Sequence, residues 1–300
     1  MKWAYKRRLD SFEGMQDMPK AVRRKLAACA SLEKLRVRRA LTSGGNDAVK
    51  FVFDPGIESV LLFDGRRRTA CLSTQLGCSL GCRFCATGKM GLIRDLTQAE
   101  VLGQLIAVND ALPSPASHIV FMGTGEALSN FEVFRSSCEI LMHEWGFGLS
   151  GRRITVSTAG VVPSIERLAA EGPAVGLAVS LNAHTDEVRS RLMPVNKTYP
   201  IREVVRAARN FRGPLTFEYV VIPGVNDGDD AVKGLARLLA GIRCKVNCIP
   251  LNVTGRSVPL ERVRSFADSL FKNGLMATVR RSRGADIGGA CGMLGGAISP

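Results

Sequence analysis

The chain has 300 residues, 46% of them hydrophobic and 6% aromatic, which suits a globular protein with one large core or two modest ones and excludes disordered and fibrous classes. No run of about 18 apolar residues occurs, and the N-terminus MKWAYKRRLD is charged from its start, so neither a membrane span nor a secretory signal is expected and the cytoplasm is the expected compartment. Lys and Arg number 41 against 27 Asp and Glu, a formal charge of +14 that points to a polyanionic partner, most simply nucleic acid.

Residues 1–48 are strongly basic and carry helical patterns such as PKAVRRKLAAC and SLEKLRVRRAL. They read as a basic lead-in whose charge faces RNA or solvent. Two alternating apolar runs around Asp54-Pro55-Gly56 predict two or three strands before Thr69. Beyond it, the strand-like runs TACLST, HIVFMG, RITVST, GLAVSL, TFEYVVI and KVNCIPL, with ATVRRS as a late seventh, alternate with amphipathic helical stretches. Repeated β-α units predict an α/β fold with a parallel sheet covered by helices, and six to seven units suit a partial (β/α)6 barrel. The expected division is a short basic N-terminal extension over 1–68, with short helices and a β-hairpin, and a core over 69–300. Functional residues are then expected just after each strand, at the C-terminal face.

Nine cysteines, an odd number in a chain of this length, favour metal or redox chemistry over a disulfide framework. Cys78, Cys82 and Cys85 form a C-x3-C-x2-C array in LGCSLGCRFCATGKMG. Zinc would require a fourth nearby ligand, and none follows in the sequence. Three cysteines can instead hold a 4Fe-4S cluster with one iron left open. Read alone, Cys71 is a buried small hydrophobe, as are Cys29, Cys138, Cys244 and Cys248; Glu58 is a solvent-facing charge on a strand. His118, His143 and His184 read as structural or superficial.

The cysteine array, with Phe84 before its last member, resembles the radical SAM superfamily. The segments MGTGEALSN, RRITVSTAGVVP, SLNAHTDEVRSRLMPVNKTYP, FEYVVIPGVND, KVNCIPLN and VRRSRGADIGGACGML extend the resemblance over roughly 11–296, to the RlmN/Cfr family of radical SAM RNA adenine methyltransferases. The resemblance implies one 4Fe-4S cluster on Cys78, Cys82 and Cys85, and two molecules of S-adenosyl-L-methionine per turnover. It implies that Cys291 carries the methyl group, that Cys71 resolves the covalent RNA adduct by leaving a Cys71–Cys291 disulfide, and that Glu58 accepts the ring proton. Gly125, Glu126, Ser157, Ser180, Leu181, Asn182 and Asn252 match cofactor-binding positions, with Thr124 and Ala127 departing from the family's usual GMGEP. Asn182 stands where relatives often carry histidine.

The implied reaction is methylation of carbon 2 of an adenosine in 23S ribosomal RNA, with tRNA as a second substrate. Carbon-8 methylation by the same machinery, a divergent paralogue acting on another RNA, and a non-catalytic metal-containing RNA-binding protein are the alternatives. Arg66-Arg67-Arg68 and Arg280-Arg281-Ser282-Arg283 are the expected phosphate contacts. A flavodoxin or ferredoxin as electron donor, a monomeric state, no membrane partner and a short form of the N-terminal accessory domain complete the expectations.

Overall fold

In the computed structural model, which describes residues 2–253 and 256–295, a ten-stranded sheet organises the chain. It begins as an antiparallel meander, β1 (Val37–Thr42), β2 (Ala48–Phe53), β3 (Ile57–Asp64) and β4 (Arg67–Cys71). A side hairpin follows, β5 (Gln75–Cys78) and β6 (Gly91–Asp95), with α1 (Lys20–Cys29) upstream and α2 (Ala86–Met90) inside the hairpin. From β4 the main sheet turns parallel through β7 (His118–Phe121), β8 (Ile154–Thr158), β9 (Gly176–Ser180), β10 (Leu215–Val221) and β11 (Lys245–Pro250). After a short hairpin, β12 (Asn252–Val253) and β13 (Arg256–Ser257), the last strand β14 (Ala277–Val279) pairs in parallel with β11.

Helices α3 (Gln98–Asp110), α4 (Phe131–Met142), α5 (Val162–Glu171), α6 (Asp186–Leu192), α7 (Ile201–Arg209), α8 (Asp229–Leu238) and α9 (Leu260–Lys272) occupy the crossovers. Each long one turns an apolar stripe inward: Val204, Val205 and Ala208 on α7, and Val263, Phe266 and Leu270 on α9, are buried, as amphipathic periodicity requires. Thr97 and Glu100 close a reciprocal capping box that starts α3. These stripes and the strands' inner residues, among them Ile119, Val156, Leu177 and Phe217, form one core. This is the partial barrel read from the alternating runs.

Two segments differ from the sequence reading. SLEKLRVRRAL is not helical: its second half is β1, bonded edge-on to β2. The charge spacing imitates a helix, but Val37 and Thr42 are β-branched and β2 offers an open edge that a lone helical turn could not match. The short α6, within SLNAHTDEVRSRLMP, is an additional helix; Thr185 caps it by accepting from the Val188 N–H.

Candidate active site

The three spaced cysteines lie where β5 meets α2. Gly77 makes this possible, since its φ is +79° and a side chain there would sit 1.9 Å from the Gly91 carbonyl. The loop then folds back, with the Cys85 N–H donating to the Cys82 carbonyl. All three thiols open on one cavity of about 180 Å³. Burial pushes Cys78 up to about 11 and Cys82 up to about 12, and their neighbouring thiols and Glu126 add to it. Such thiols remain protonated until a metal centre takes them as thiolates. No three His, Cys, Asp or Glu side chains among the described residues are placed to share a single ion, a condition that three ligands to three different irons of one cluster need not meet.

The opposite wall is the loop after β7. The Gly123 N–H donates to the Leu72 carbonyl, the Thr124 N–H donates to Ser73 Oγ and Thr124 Oγ1 donates to the Gln75 carbonyl. Thr124 is therefore the loop's anchor. Gly125 has φ +100°, and a β-carbon there would fall 2.5 Å from that of Gln75. Gln75 Oε1 accepts the Glu126 N–H at 2.8 Å, aiming Glu126 into the cavity. Its Oε2 accepts from the Ala159 N–H at 2.7 Å, while Oε1 is buried with no partner. Burial raises its pKa to about 7. An unpaired buried carboxylate oxygen beside three thiols fits the ammonium group of an amino-acid ligand, so the residues present suit a cluster together with S-adenosyl-L-methionine.

The strand ends contribute unequally. Ser157 and Ser180 line the cavity. Asn182 also borders it, in the left-handed region at φ +57°, but its Oδ1 accepts the Val220 N–H and its carbonyl accepts from Asn226 Nδ2. It pins β9 to β10, and asparagine tolerates that backbone. Leu181 is not among the lining residues: its side chain is core, its N–H donates to the Glu218 carbonyl and its carbonyl accepts from Arg189 Nε. Asn252 belongs to the C-terminal loop as much as to the cavity, with Nδ2 donating to the Cys291 carbonyl and Oδ1 accepting from Ser282 Oγ.

Cys291 lies in the wall between this cavity and a wider cleft of about 950 Å³, which Cys71 also lines. Burial, then the neighbouring Cys291, pushes Cys71 up to about 12, and Arg280 opposes the rise. Arg280 is not the surface phosphate contact that its arginine run suggests. It is half-buried in the same wall, its Nη1 facing Met122 Sδ and its backbone N–H donating to the Cys248 carbonyl. The charges of Cys291, then of Glu218 and Cys71, hold its guanidinium above the ordinary arginine value against desolvation. Arg283 pairs with Asp64 at 2.8 Å. Of the other run, Arg66 and Arg67 are exposed, whereas Arg68 Nε donates to the Pro115 carbonyl.

Glu58 is buried, not solvent-facing. Its Oε1 is 2.9 Å from Lys50 Nζ and its Oε2 accepts the Gly295 N–H at 2.7 Å. Lys50 Nζ also donates to the Gly288 carbonyl. Lys50 and Glu218 are site residues that the sequence reading misses, and Arg280 is one it assigns to the RNA surface instead; a lysine inside the apolar run AVKFVF is the one available sign of the first. Among the remaining cysteines, Cys138 and Cys248 are buried in the core, while Cys29 is exposed rather than packed. No helix among the described residues is long and apolar enough to cross a membrane.

Comparison with known proteins agrees with this geometry. Residues 72–239 match the radical SAM superfamily, and residues 1–32 match the ribosomal RNA large subunit methyltransferase N-terminal domain. The chain is 45% identical, over 98% of its length and 88% of the relative's, to a probable dual-specificity RNA methyltransferase RlmN of Moorella thermoacetica. It is 42% identical to the dual-specificity RNA methyltransferase RlmN of Geobacter sulfurreducens, over 99% of this chain and 85% of that one. The crystal structure of a radical SAM methyltransferase from Sphaerobacter thermophilus superposes with a TM-score of 0.90 at 43% identity, covering 97% of this chain and 90% of that one. Matched along nearly its whole length in both sequence and fold, the chain belongs to the RlmN family of radical SAM RNA methyltransferases.

Proposed function

We propose that the protein methylates carbon 2 of an adenosine in 23S ribosomal RNA, and of an adenosine in tRNA, with Cys291 as methyl carrier and Cys71 as resolving thiol. The family's cofactors are a 4Fe-4S cluster and S-adenosyl-L-methionine, and when bound they supply both a methyl cation equivalent and a hydrogen-abstracting radical. Cys78, Cys82 and Cys85 would hold the cluster, and Glu126, Gly125, Ser157, Ser180 and the Asn182 and Asn252 backbones would hold the sulfonium ligand. The observation that carries the reading is the position of Cys291, in the partition between the smaller thiol-lined cavity and the wider cleft that Cys71 also lines. A sulfur placed there can accept a methyl group from one side and present it to a base on the other.

Carbon 2 of adenine is electron-poor, so displacement by the ring on a methyl donor fails and a radical addition is needed. The adduct then joins the Cys291 sulfur to the base through a methylene. Glu58 removes the ring proton, for which Oε2 must release the Gly295 N–H, and the radical adduct gives up one electron, back to the cluster that Cys78, Cys82 and Cys85 would hold, so that a closed-shell thioether remains. The Cys71 thiolate attacks the Cys291 sulfur: the S–S bond forms, the S–C bond breaks, and its electron pair goes to the methylene carbon, which takes a proton and becomes the new methyl group. Arg280, charged between the two sulfurs and Glu218, favours the Cys71 thiolate this step consumes. An external thiol reductant restores the pair.

We infer further that residues 1–68 act as an RNA-presenting extension of a catalytic core over 69–300, that a flavodoxin or ferredoxin donates the electron, and that the protein works as a cytoplasmic monomer. The test is nucleoside mass spectrometry of RNA from a deletion strain with and without the restored gene. Loss and return of 2-methyladenosine is expected; loss of 8-methyladenosine in its place would overturn the carbon-2 assignment.

A further inference from the structure

One fully buried charge in the core has no directly bonded counter-charge among the described residues. Arg189 on α6 is 0% exposed. Its Nε donates to the Leu181 carbonyl at 3.0 Å, Nη1 to Asn196 Oδ1 at 2.9 Å and to the Tyr199 carbonyl at 3.3 Å, and Nη2 to the Ala159 and Ser180 carbonyls at 2.6 and 3.1 Å. Every acceptor is a neutral oxygen. Asp186, at the start of α6, is exposed and reaches the guanidinium only through Asn196, whose Nδ2 donates to Asp186 Oδ1 at 3.0 Å. Buried cations are normally neutralised by a carboxylate, because dipoles alone do not repay the loss of water.

The cysteine-lined cavity lies directly across the wall that Arg189 braces. Ala159 and Ser180, whose carbonyls Arg189 grips, line the cavity into which the cysteines open. The cysteine loop leans on the end of α6, with the Arg83 N–H donating to the Leu192 carbonyl at 3.0 Å. Burial lowers the Arg189 pKa to about 10, and the Cys82 sulfur, then Asp186, oppose that fall.

We propose that Arg189 is the resident counter-charge of the anionic cluster, a positioning residue that raises the cluster's reduction potential while bolting together the ends of β8 and β9. This rests on the reading that Cys78, Cys82 and Cys85 hold the cluster. Reduction adds an electron to a centre that is already negative, and a fixed cation in a low-dielectric wall favours the reduced form. Removing the charge therefore makes the cluster harder to reduce.

The experiment compares anaerobically reconstituted full-length proteins by iron content, visible spectrum and a potentiometric titration followed by electron paramagnetic resonance. Arg189→Gln removes the charge and Arg189→Lys keeps it. The exchange Asp186→Asn with Asn196→Asp leaves the guanidinium in place and moves one carboxylate onto Nη1 without altering net charge. With normal iron content, Arg189→Gln and the exchange variant are expected to reduce at least tenfold less favourably, about 59 mV lower for a one-electron couple, while Arg189→Lys stays near the parent. Should Arg189→Gln fail to fold, the exchange variant still decides. A normal cluster with the parent's potential in the exchange variant would overturn the proposal and leave Arg189 a purely structural clamp. Normal iron in a Cys82→Ala protein would instead overturn the ligand reading.

Discussion

Lys50 and Glu58, diagonal neighbours on adjacent strands, form a buried ion pair, Nζ to Oε1 2.9 Å, and between them they hold both ends of the loop that carries Cys291. Lys50 reaches the Gly288 carbonyl and Glu58 the Gly295 N–H. Breaking a buried pair by removing one partner typically costs about 3–5 kcal/mol, since it strands the other charge. Lys50→Met should therefore unfold at lower urea by about that free energy. It should also lose amide protection at Gly295 in hydrogen exchange, and carry less methyl on Cys291.

Cys71→Ala separates resolution from loading. The variant is expected to be methylated on Cys291 and to accumulate protein joined to RNA by a bond that survives denaturant and thiol reductant, mapping to Cys291 by mass spectrometry. Cys291→Ala should give no adduct. Turnover by Cys71→Ala at the parent rate would remove it from the mechanism.

Glu126 makes the apoprotein's stability depend on pH in a definite direction. Its folded pKa of about 7 lies above the ordinary carboxylate value of 4.5, so the folded state binds the proton more tightly and stability falls as pH rises through that window. The full difference is on the order of 3 kcal/mol at pH 8. Glu126→Gln, which still accepts the Ala159 N–H, should be more stable than the parent at pH 8 and no more stable below pH 4. It should bind S-adenosyl-L-methionine poorly at both. Urea titrations and ligand calorimetry read the two effects.

The arginine runs divide by placement. Replacing exposed Arg66 and Arg67 together should flatten the salt dependence of RNA binding by roughly 0.7–0.9 for each phosphate no longer neutralised. Arg280→Met should leave that slope unchanged and abolish methyl transfer. A changed slope in Arg280→Met would return it to the RNA surface.

What the sequence made legible was whatever is periodic or closely spaced. Alternation between two-residue and 3.6-residue periods gave the parallel strands and their helices, and three cysteines within one loop gave the candidate cluster ligands that the fold brings to one cavity. Lys50 and Glu58 are separated from the Cys291 loop by more than two hundred residues, and only the sheet's register brings them to it. Arg280 shows the opposite problem: a charge run looks the same whether its side chains face water or a partition, and β14 ending at Val279 is what turns Arg280 inward and leaves Arg281 exposed. Leu181 and Asn182 illustrate a third limit, because a motif match cannot tell a side chain that meets a ligand from one that holds the backbone in place.

Among the described residues, the incomplete barrel also leaves its sheet with two free margins, at β1 and β14. Unpaired strand margins recruit other strands, and proteins resist this with charge or brevity. Here β1 is almost wholly exposed and carries Arg38 and Arg39 along its length, while β14 is only three residues long. The positive charge that suits an RNA partner thus doubles as a guard against self-association through the sheet: two copies meeting margin to margin at β1 would bring like charges together. Neutralising Arg38 and Arg39 would remove that guard, with aggregation of the folded protein as the cost.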